Sequence, residues 1–164
     1  KISNNNINMN KINNFIKNRT KIIIGSDHGG YILKEYIKKN IDDNYIIEDV
    51  GIYNTSKCDY PDIAKSLCNE LLVKDEDCNK VGILICGTGI GMNITANKFK
   101  GIRCALCTNS HMAKMARIHN NANVLALGER ITGQSLALDI VKTFLEEIYY
   151  KEERHERRIN KIEN

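Results

Sequence analysis

The sequence predicts an α/β protein, a single domain built on a five-stranded parallel sheet with helices on both faces. Three observations carry this. Short β-rich runs alternate regularly with segments of helical spacing, and their lengths suit strands and crossover helices. The 164 residues are enough for one domain with a sizeable core. No apolar run approaches the roughly 20 residues of a membrane span.

The elements follow in order. Residues 21–26 (KIIIGS) predict a first strand, and 31–40 (YILKEYIKKN) a helix. Residues 45–51 (YIIEDVG) predict a strand, and 61–74 (PDIAKSLCNELLVK) a helix. Pro61 opens that helix at its first position, where a missing N–H is harmless. A strand over 81–86 (VGILIC) precedes a helix over 90–99 (IGMNITANKF). A strand over 101–108 (GIRCALCT) leads to a helix over 111–120 (HMAKMARIHN). The last strand, 121–128 (NANVLALG), is followed by a long helix over 134–150 and a basic tail of helical spacing containing RHERRINK. Right-handed crossovers then give an open, doubly wound, Rossmann-like sheet. Ligands in such sheets sit beyond the carboxyl ends of the strands. The site candidates are therefore Asp27 and His28, Asp59 and Tyr60, Cys86 to Gly91, and Asn109.

Residues 1–20 are Asn-rich and carry no acid, which predicts a disordered extension. A transit peptide would also avoid acids; it usually carries more Arg and Ser than the single Arg19 and Ser3 here, so organelle targeting stands as the second reading of this segment. Residues 21–164 form the folded domain.

Six cysteines stand in a chain of this size without a secretory signal, so they read as reduced thiols of a cytoplasmic protein. Cys104 and Cys107 make a CxxC on a strand, where positions i and i+3 face opposite ways. That geometry suits buried small hydrophobes better than zinc or redox exchange. The histidines lack metal-ligand spacing. The net charge of +4 is mild, and three Phe with no Trp offer no stacking platform for nucleic acid.

The segment CGTGIG (86–91) has to be separated from its look-alikes. The dinucleotide fingerprint GxGxxG needs its third glycine one position later than Gly91, and no acid ends the next strand. The phosphate loop GxxxxGK[ST] is absent from the sequence. A cysteine phosphatase needs arginine six residues after its nucleophile, and that position is Met92. What remains is a set of backbone N–H groups at a helix start, aimed at an anion or a developing oxyanion. A thiol with a pKa near ~8.5 ionises more readily there. Cys86 can then be a nucleophile, a general base, or only the last buried residue of its strand. Position alone leaves these readings open.

Other residues shift the balance. Asp27 and His28 follow the first strand, and Arg130 follows the fifth in GER. His119 and Asn120 end a helix, where a histidine can simply complement the dipole. Arg154, Arg157 and Arg158 at helical spacing can equally form a solvated face.

The blocks SDHGG, DYPD, ILICGTGIGMNITANK, GIR, RIHNNANVLALGER and RHERR occur in that order from about Lys21 to the end. Together they resemble type B ribose-5-phosphate isomerase, of the sugar-phosphate isomerase family that includes galactose-6-phosphate isomerase subunits. The resemblance implies interconversion of D-ribose 5-phosphate and D-ribulose 5-phosphate through a cis-enediolate, in the non-oxidative pentose phosphate pathway and without cofactor. Cys86 would be the general base, because the family's other version has a glutamate where this chain has Met92. The backbone of Gly87, Gly89, Ile90 and Gly91, with the Thr88 hydroxyl, would stabilise the enediolate oxygens. His119 would open the furanose ring. Asp27, His28, Tyr60 and Asn120 would contact the sugar or its phosphate, and Arg130, Arg154 and Arg158 would hold the phosphate. The family's site lies between two subunits, so the resemblance also implies a homodimer or a dimer of dimers. Its departures are GG in the first block and ITANK in place of Ala-Ala-Asn-Lys, neither of which removes a reacting group. A six-carbon substrate such as allose 6-phosphate stays open. Galactose 6-phosphate fits less well, since those subunits generally lack Cys-Gly-Thr-Gly. A non-catalytic phosphate-binding module on the same fold is the third reading.

Overall fold

The computed structural model describes residues 20–75 and 78–164. The elements run β1 (Thr20–Ser26), α1 (Tyr31–Asn40), β2 (Ile46–Asp49), α2 (Tyr60–Leu72), β3 (Asn79–Cys86) and α3 (Ile90–Ala96). They continue as β4 (Cys104–Leu106), α4 (Ser110–Asn120), β5 (Val124–Gly128), α5 (Gln134–Glu146) and α6 (Glu153–Glu163). All strand pairs are parallel, in the order β2-β1-β3-β5-β4. The sheet is the doubly wound one expected from the sequence.

The alternation of side chains along each strand divides the core into two layers. Ile22, Ile24, Ile83, Ile85, Leu125 and Leu127 face α1, α4 and α5, which contribute Leu33, Ile37, Ala113, Ile140 and Phe144. Ile23, Leu84 and Cys86 face α2 and α3, which contribute Ala64, Leu67, Met92 and Ala96. Each of the fully buried isoleucines gains about 1.5–3 kcal/mol from leaving water. Cys104 packs against the second layer and Cys107 belongs to the first, so the CxxC thiols do point to opposite faces.

The ends of elements depart from the sequence reading for local reasons. Thr20, assigned to the extension, is the first residue of β1; the rest of that segment lies outside the described residues. β4 is three residues rather than eight. Gly101 turns there at φ +85°, and the Arg103 N–H bonds the Asn123 side chain (2.8 Å) instead of extending the ladder. The long last helix stops at Glu146, where Glu147 is extended, and the tail restarts as α6.

One polar knot sits inside the fold. Lys34 is fully buried, and its Nζ donates to both Asp49 oxygens (2.7 and 2.8 Å) and to the Ile52 carbonyl (2.6 Å). These bonds clamp α1 to the end of β2, beside the sheet edge where the site lies.

Candidate active site

The strand order decides which loops meet. The chain passes from β1 outward to β2, then back across to β3, so a crevice forms between the ends of β1 and β3. Placing β5, rather than β4, beside β3 brings the loop after Gly128 to the same crevice.

Asp27 and His28 occupy the end of β1. Asp27 is buried, and its Oδ1 accepts from the Gly29 N–H at 2.9 Å. His28 Nδ1 is buried with no hydrogen-bond partner among the described residues. A Cβ on Gly30 would stand 2.5 Å from the Ile85 carbonyl oxygen, so only glycine lets this turn close onto β3.

Cys86 ends β3 at 5% exposure. Its Sγ accepts from the Gly89 N–H at 3.1 Å, which folds the loop back over the sulfur. Gly89 has φ +78°, a left-handed conformation, and initiates α3. The first-turn N–H groups of α3 lack intrahelical acceptors. Thr88 and Ile90 are exposed, and the Thr88 Oγ1 accepts a long bond from the Ile90 N–H (3.4 Å). The Tyr60 ring lies against Gly91, 2.6 Å from where a Cβ would be. Met92 is completely buried in the layer that holds Cys86.

Arg130 arrives from β5. Its N–H donates to the Gly87 carbonyl (3.0 Å), and the Glu129 N–H donates to the Cys86 carbonyl (2.9 Å). The guanidinium therefore lies over Gly87, with Cζ 3.2 Å from a Cβ position. Glu129, which sequence reasoning missed, accepts from the Leu33 N–H at 2.8 Å and ties this loop to the start of α1. Cys58 was missed too. Burial, opposed by a backbone hydrogen bond with His28, pushes its thiol up, and the Asp27, Asp59 and Asp62 carboxylates push it further.

The remaining candidates lie elsewhere. α4 starts beyond the carboxyl end of β4 and runs back along the sheet, so His119 and Asn120 end at the amino edge of the strands. α6 packs at that same edge, where Glu163 bonds Arg103 Nη1 (2.5 Å) and the Gly101 N–H (3.1 Å). His119 stacks on His155 of α6, with centroids 4.5 Å apart and planes at 18°. Arg154 and Arg158 are exposed on α6, and Arg154 Nε donates to Glu152 (2.7 Å). Asp27, His28, Tyr60, Cys86 to Gly91 and Arg130 thus form one group, and His119, Asn120, Arg154 and Arg158 another. Within one described chain the two groups stand at opposite edges of the sheet. Asn109 joins neither, because its side chain accepts from the Met112 N–H (2.9 Å) as the cap of α4. Asp59 is the residue that precedes α2, with no side-chain cap bond.

A cavity of about 630 Å³ opens at the amino edge, lined by Lys80, Arg103, Arg117, Asn121 and Tyr149 among others. It contains none of the glycine-loop residues. Its volume reflects the gap between the strand starts and the 145–149 segment, away from the thiol and its loop.

Comparison with known proteins is consistent with this geometry. The sequence model of a family described as Ribose/Galactose Isomerase matches residues 22–162. The chain is 44% identical to a putative sugar phosphate isomerase of Bacillus subtilis over 87% of this chain and 94% of that protein. It is 39% identical to ribose-5-phosphate isomerase B of Escherichia coli over 87% of this chain and 93% of that one. Among solved structures, a ribose 5-phosphate isomerase of Thermotoga maritima aligns with TM-score 0.82 at 47% identity, covering 87% of this chain and 97% of that one. The type B enzyme of Trypanosoma brucei aligns at 0.80 and 41%, covering 88% and 97%.

Proposed function

The chain belongs to the ribose/galactose isomerase family, and we propose that it interconverts D-ribose 5-phosphate and D-ribulose 5-phosphate, a step of the non-oxidative pentose phosphate pathway. The observation that carries this reading is the Cys86 sulfur, buried at a strand end and held by Gly89, with the Arg130 guanidinium over the adjoining Gly87. A base, oxyanion donors and a phosphate cation are what an aldose–ketose isomerisation requires.

The Cys86 thiolate takes the proton from C2 of the open-chain aldose. The electron pair moves into a C1–C2 double bond, and the carbonyl oxygen becomes an enediolate oxygen. Loop N–H groups between Gly87 and Gly91, with the Thr88 hydroxyl, stabilise that charge where it develops. The C2 hydroxyl proton passes to the C1 oxygen, the thiol returns its own proton to C1, and the C2 oxygen becomes the ketone. No electron leaves the substrate, so the step balances without a redox partner. Arg130 binds the phosphate, for which a guanidinium is suited. Asp27, His28 and Tyr60 line the same crevice and contact the sugar.

His119, Asn120, Arg154 and Arg158 enter from a second copy of the chain. A two-fold dimer would bring the amino-edge group of each copy to the glycine loop of the other, making two equivalent sites. Ile32, Ile90, Ile94 and Ile131 are each more than half exposed near the carboxyl edge, an apolar surface suited to such a contact. His119 of that copy donates a proton to the ring oxygen as the furanose opens. The reading also implies a cytoplasmic enzyme; among the described residues no helix is long and apolar enough to cross a membrane.

The test is a direct assay of purified protein on ribose 5-phosphate, allose 6-phosphate and galactose 6-phosphate. The highest kcat/KM is expected on ribose 5-phosphate. A higher value on either hexose phosphate would move the chain to the six-carbon reading, and turnover of none would leave a binding module.

A further inference from the structure

We infer that His155 is a positioning residue for His119, a buried flat platform whose face holds the His119 ring in line for proton transfer. This rests on the isomerase reading above.

The stack is close and nearly parallel, with centroids 4.5 Å apart and planes at 18°. His155 is 4% exposed, whereas Arg154, Arg157 and Arg158 around it are exposed. Its Nε2 is buried and has no hydrogen-bond partner among the described residues. The Glu152 oxygen stands 3.9 Å from it, beyond hydrogen-bond reach. A buried polar atom left without a partner is unfavourable, and a residue that bears this usually serves another purpose. With its Nε2 idle, what His155 offers His119 is its ring face.

The platform is itself fixed. The His155 N–H donates to the Glu152 carbonyl (2.9 Å), the Glu152 N–H to the Tyr150 carbonyl (2.7 Å), and the Tyr150 N–H to the Ile118 carbonyl (3.0 Å). This chain of backbone bonds runs from the first turn of α6 to the residue beside His119. The relative position of the two rings is therefore set by main chain. A histidine at a helix end would otherwise sample several rotamers. A proton donor must hold its nitrogen within hydrogen-bond reach of the acceptor, and a small misplacement weakens it severely. Burial, followed by the Arg154 guanidinium and the His119 ring, holds His155 below the ordinary imidazole range; Arg158 adds to this and Glu152 opposes it.

The test exploits a difference between the two sugars. Ribose 5-phosphate closes to a furanose through its C4 oxygen. Ribulose 5-phosphate cannot close, because the C5 oxygen it would need is esterified. Steady-state isomerisation of ribose 5-phosphate is measured for the full chain and for the His155→Ala, His155→Phe and His119→Asn variants, together with enzyme-catalysed exchange of the C1 hydrogen of ribulose 5-phosphate with deuterated water, which needs no ring step. His155→Ala is expected to lower kcat on ribose 5-phosphate by about tenfold, with KM little changed and a much smaller loss of exchange on ribulose 5-phosphate. Retained exchange on ribulose 5-phosphate also shows that the variant folds. His155→Phe, which keeps a flat face, is expected to recover most of the loss. Equal losses of His155→Ala in isomerisation and in exchange, or no recovery by phenylalanine, would overturn the platform. So would wild-type behaviour of His155→Ala while His119→Asn is selectively impaired on ribose 5-phosphate. If His119→Asn is instead equally impaired on both sugars, the ring-opening role of His119 fails and takes this inference with it. An unaltered chain that turns over neither sugar overturns the isomerase reading as a whole.

Discussion

The Gly89 N–H donates to the Cys86 sulfur across 3.1 Å, so one turn both positions the thiol and opens the glycine loop. The sulfur is thereby restrained against rotation. Removing the sulfur should therefore disable proton transfer without dismantling the binding surface. Cys86→Ala is expected to lower kcat by about 10²- to 10⁴-fold, the usual worth of a general base. Its affinity for a sugar phosphate, measured calorimetrically, should stay within a few-fold of the parent. Near-parental turnover would remove Cys86 from the mechanism.

The turn itself depends on glycine. At φ +78° a Cβ on Gly89 would lie 2.9 Å from the Leu127 carbonyl carbon and 2.5 Å from the Leu106 side chain. Gly89→Ala is expected to cost about 1–3 kcal/mol in thermal or urea unfolding and to lower kcat along with it. Gly133 is the matched control, since nothing stands within 4 Å of its Cβ position and its φ is −64°. Gly133→Ala should change stability by no more than about 0.5 kcal/mol.

Much of this architecture was legible in the sequence, and what was not has a physical reason. Runs such as KIIIGS and VGILIC carry a local signal that survives folding, so all five strands and their helices were placed correctly in type. Strand order carries no such signal. That β5 lies between β3 and β4 is a long-range fact, and it is what seats Arg130 on Gly87. Asn109 shows the converse error: a strand-end position on an edge strand became a helix cap. The amino-edge placement of His119 follows from the direction of α4, which a motif match cannot supply. His155 stayed hidden because RHERR reads as a charged surface, and only the packed helix reveals which member turns inward.

Arg130 should act on binding more than on chemistry, because its guanidinium lies over Gly87 rather than at the sulfur. Arg130→Ala is expected to raise KM for ribose 5-phosphate by about tenfold or more, as loss of a charge-assisted bond does, with a smaller change in kcat. Arg130→Lys should recover only part, since the planar fork is lost. A kcat collapse at unchanged KM would contradict the phosphate role.

The Lys34–Asp49 pair makes stability depend on acid. Burial alone would raise the Asp49 carboxyl, but hydrogen bonds from Lys34, Lys38 and the Gly51 N–H outweigh it and hold it below the usual range. A depressed carboxyl contributes stability that is complete above the ordinary value near ~4 and is lost as pH falls through the folded value. The melting temperature should therefore fall as the medium is acidified below that point. Asp49→Asn should flatten part of that dependence. It should also destabilise at neutral pH by about 3 kcal/mol or more, because it leaves a fully buried ammonium without its carboxylate. A parental melting profile in this variant would show that the pair is not coupled to folding.

The two residue groups at opposite edges of the sheet make the strongest demand on any assay. If one active site takes Cys86 from one copy and Arg154 and Arg158 from another, two differently disabled chains must repair each other. Cys86→Ala alone and the Arg154→Ala/Arg158→Ala double variant alone should both be nearly inactive. Co-expressed in equal amounts, they should associate at random, so that about half the dimers are mixed, each with one intact site and one doubly altered site. Activity should then return to about a quarter of the parental level, and it should depend on mixing before assembly. A co-expressed pair as inactive as either variant alone would place the whole site within one chain. That outcome would require the α4–α6 edge to reach the glycine loop of its own sheet, which the direction of α4 opposes.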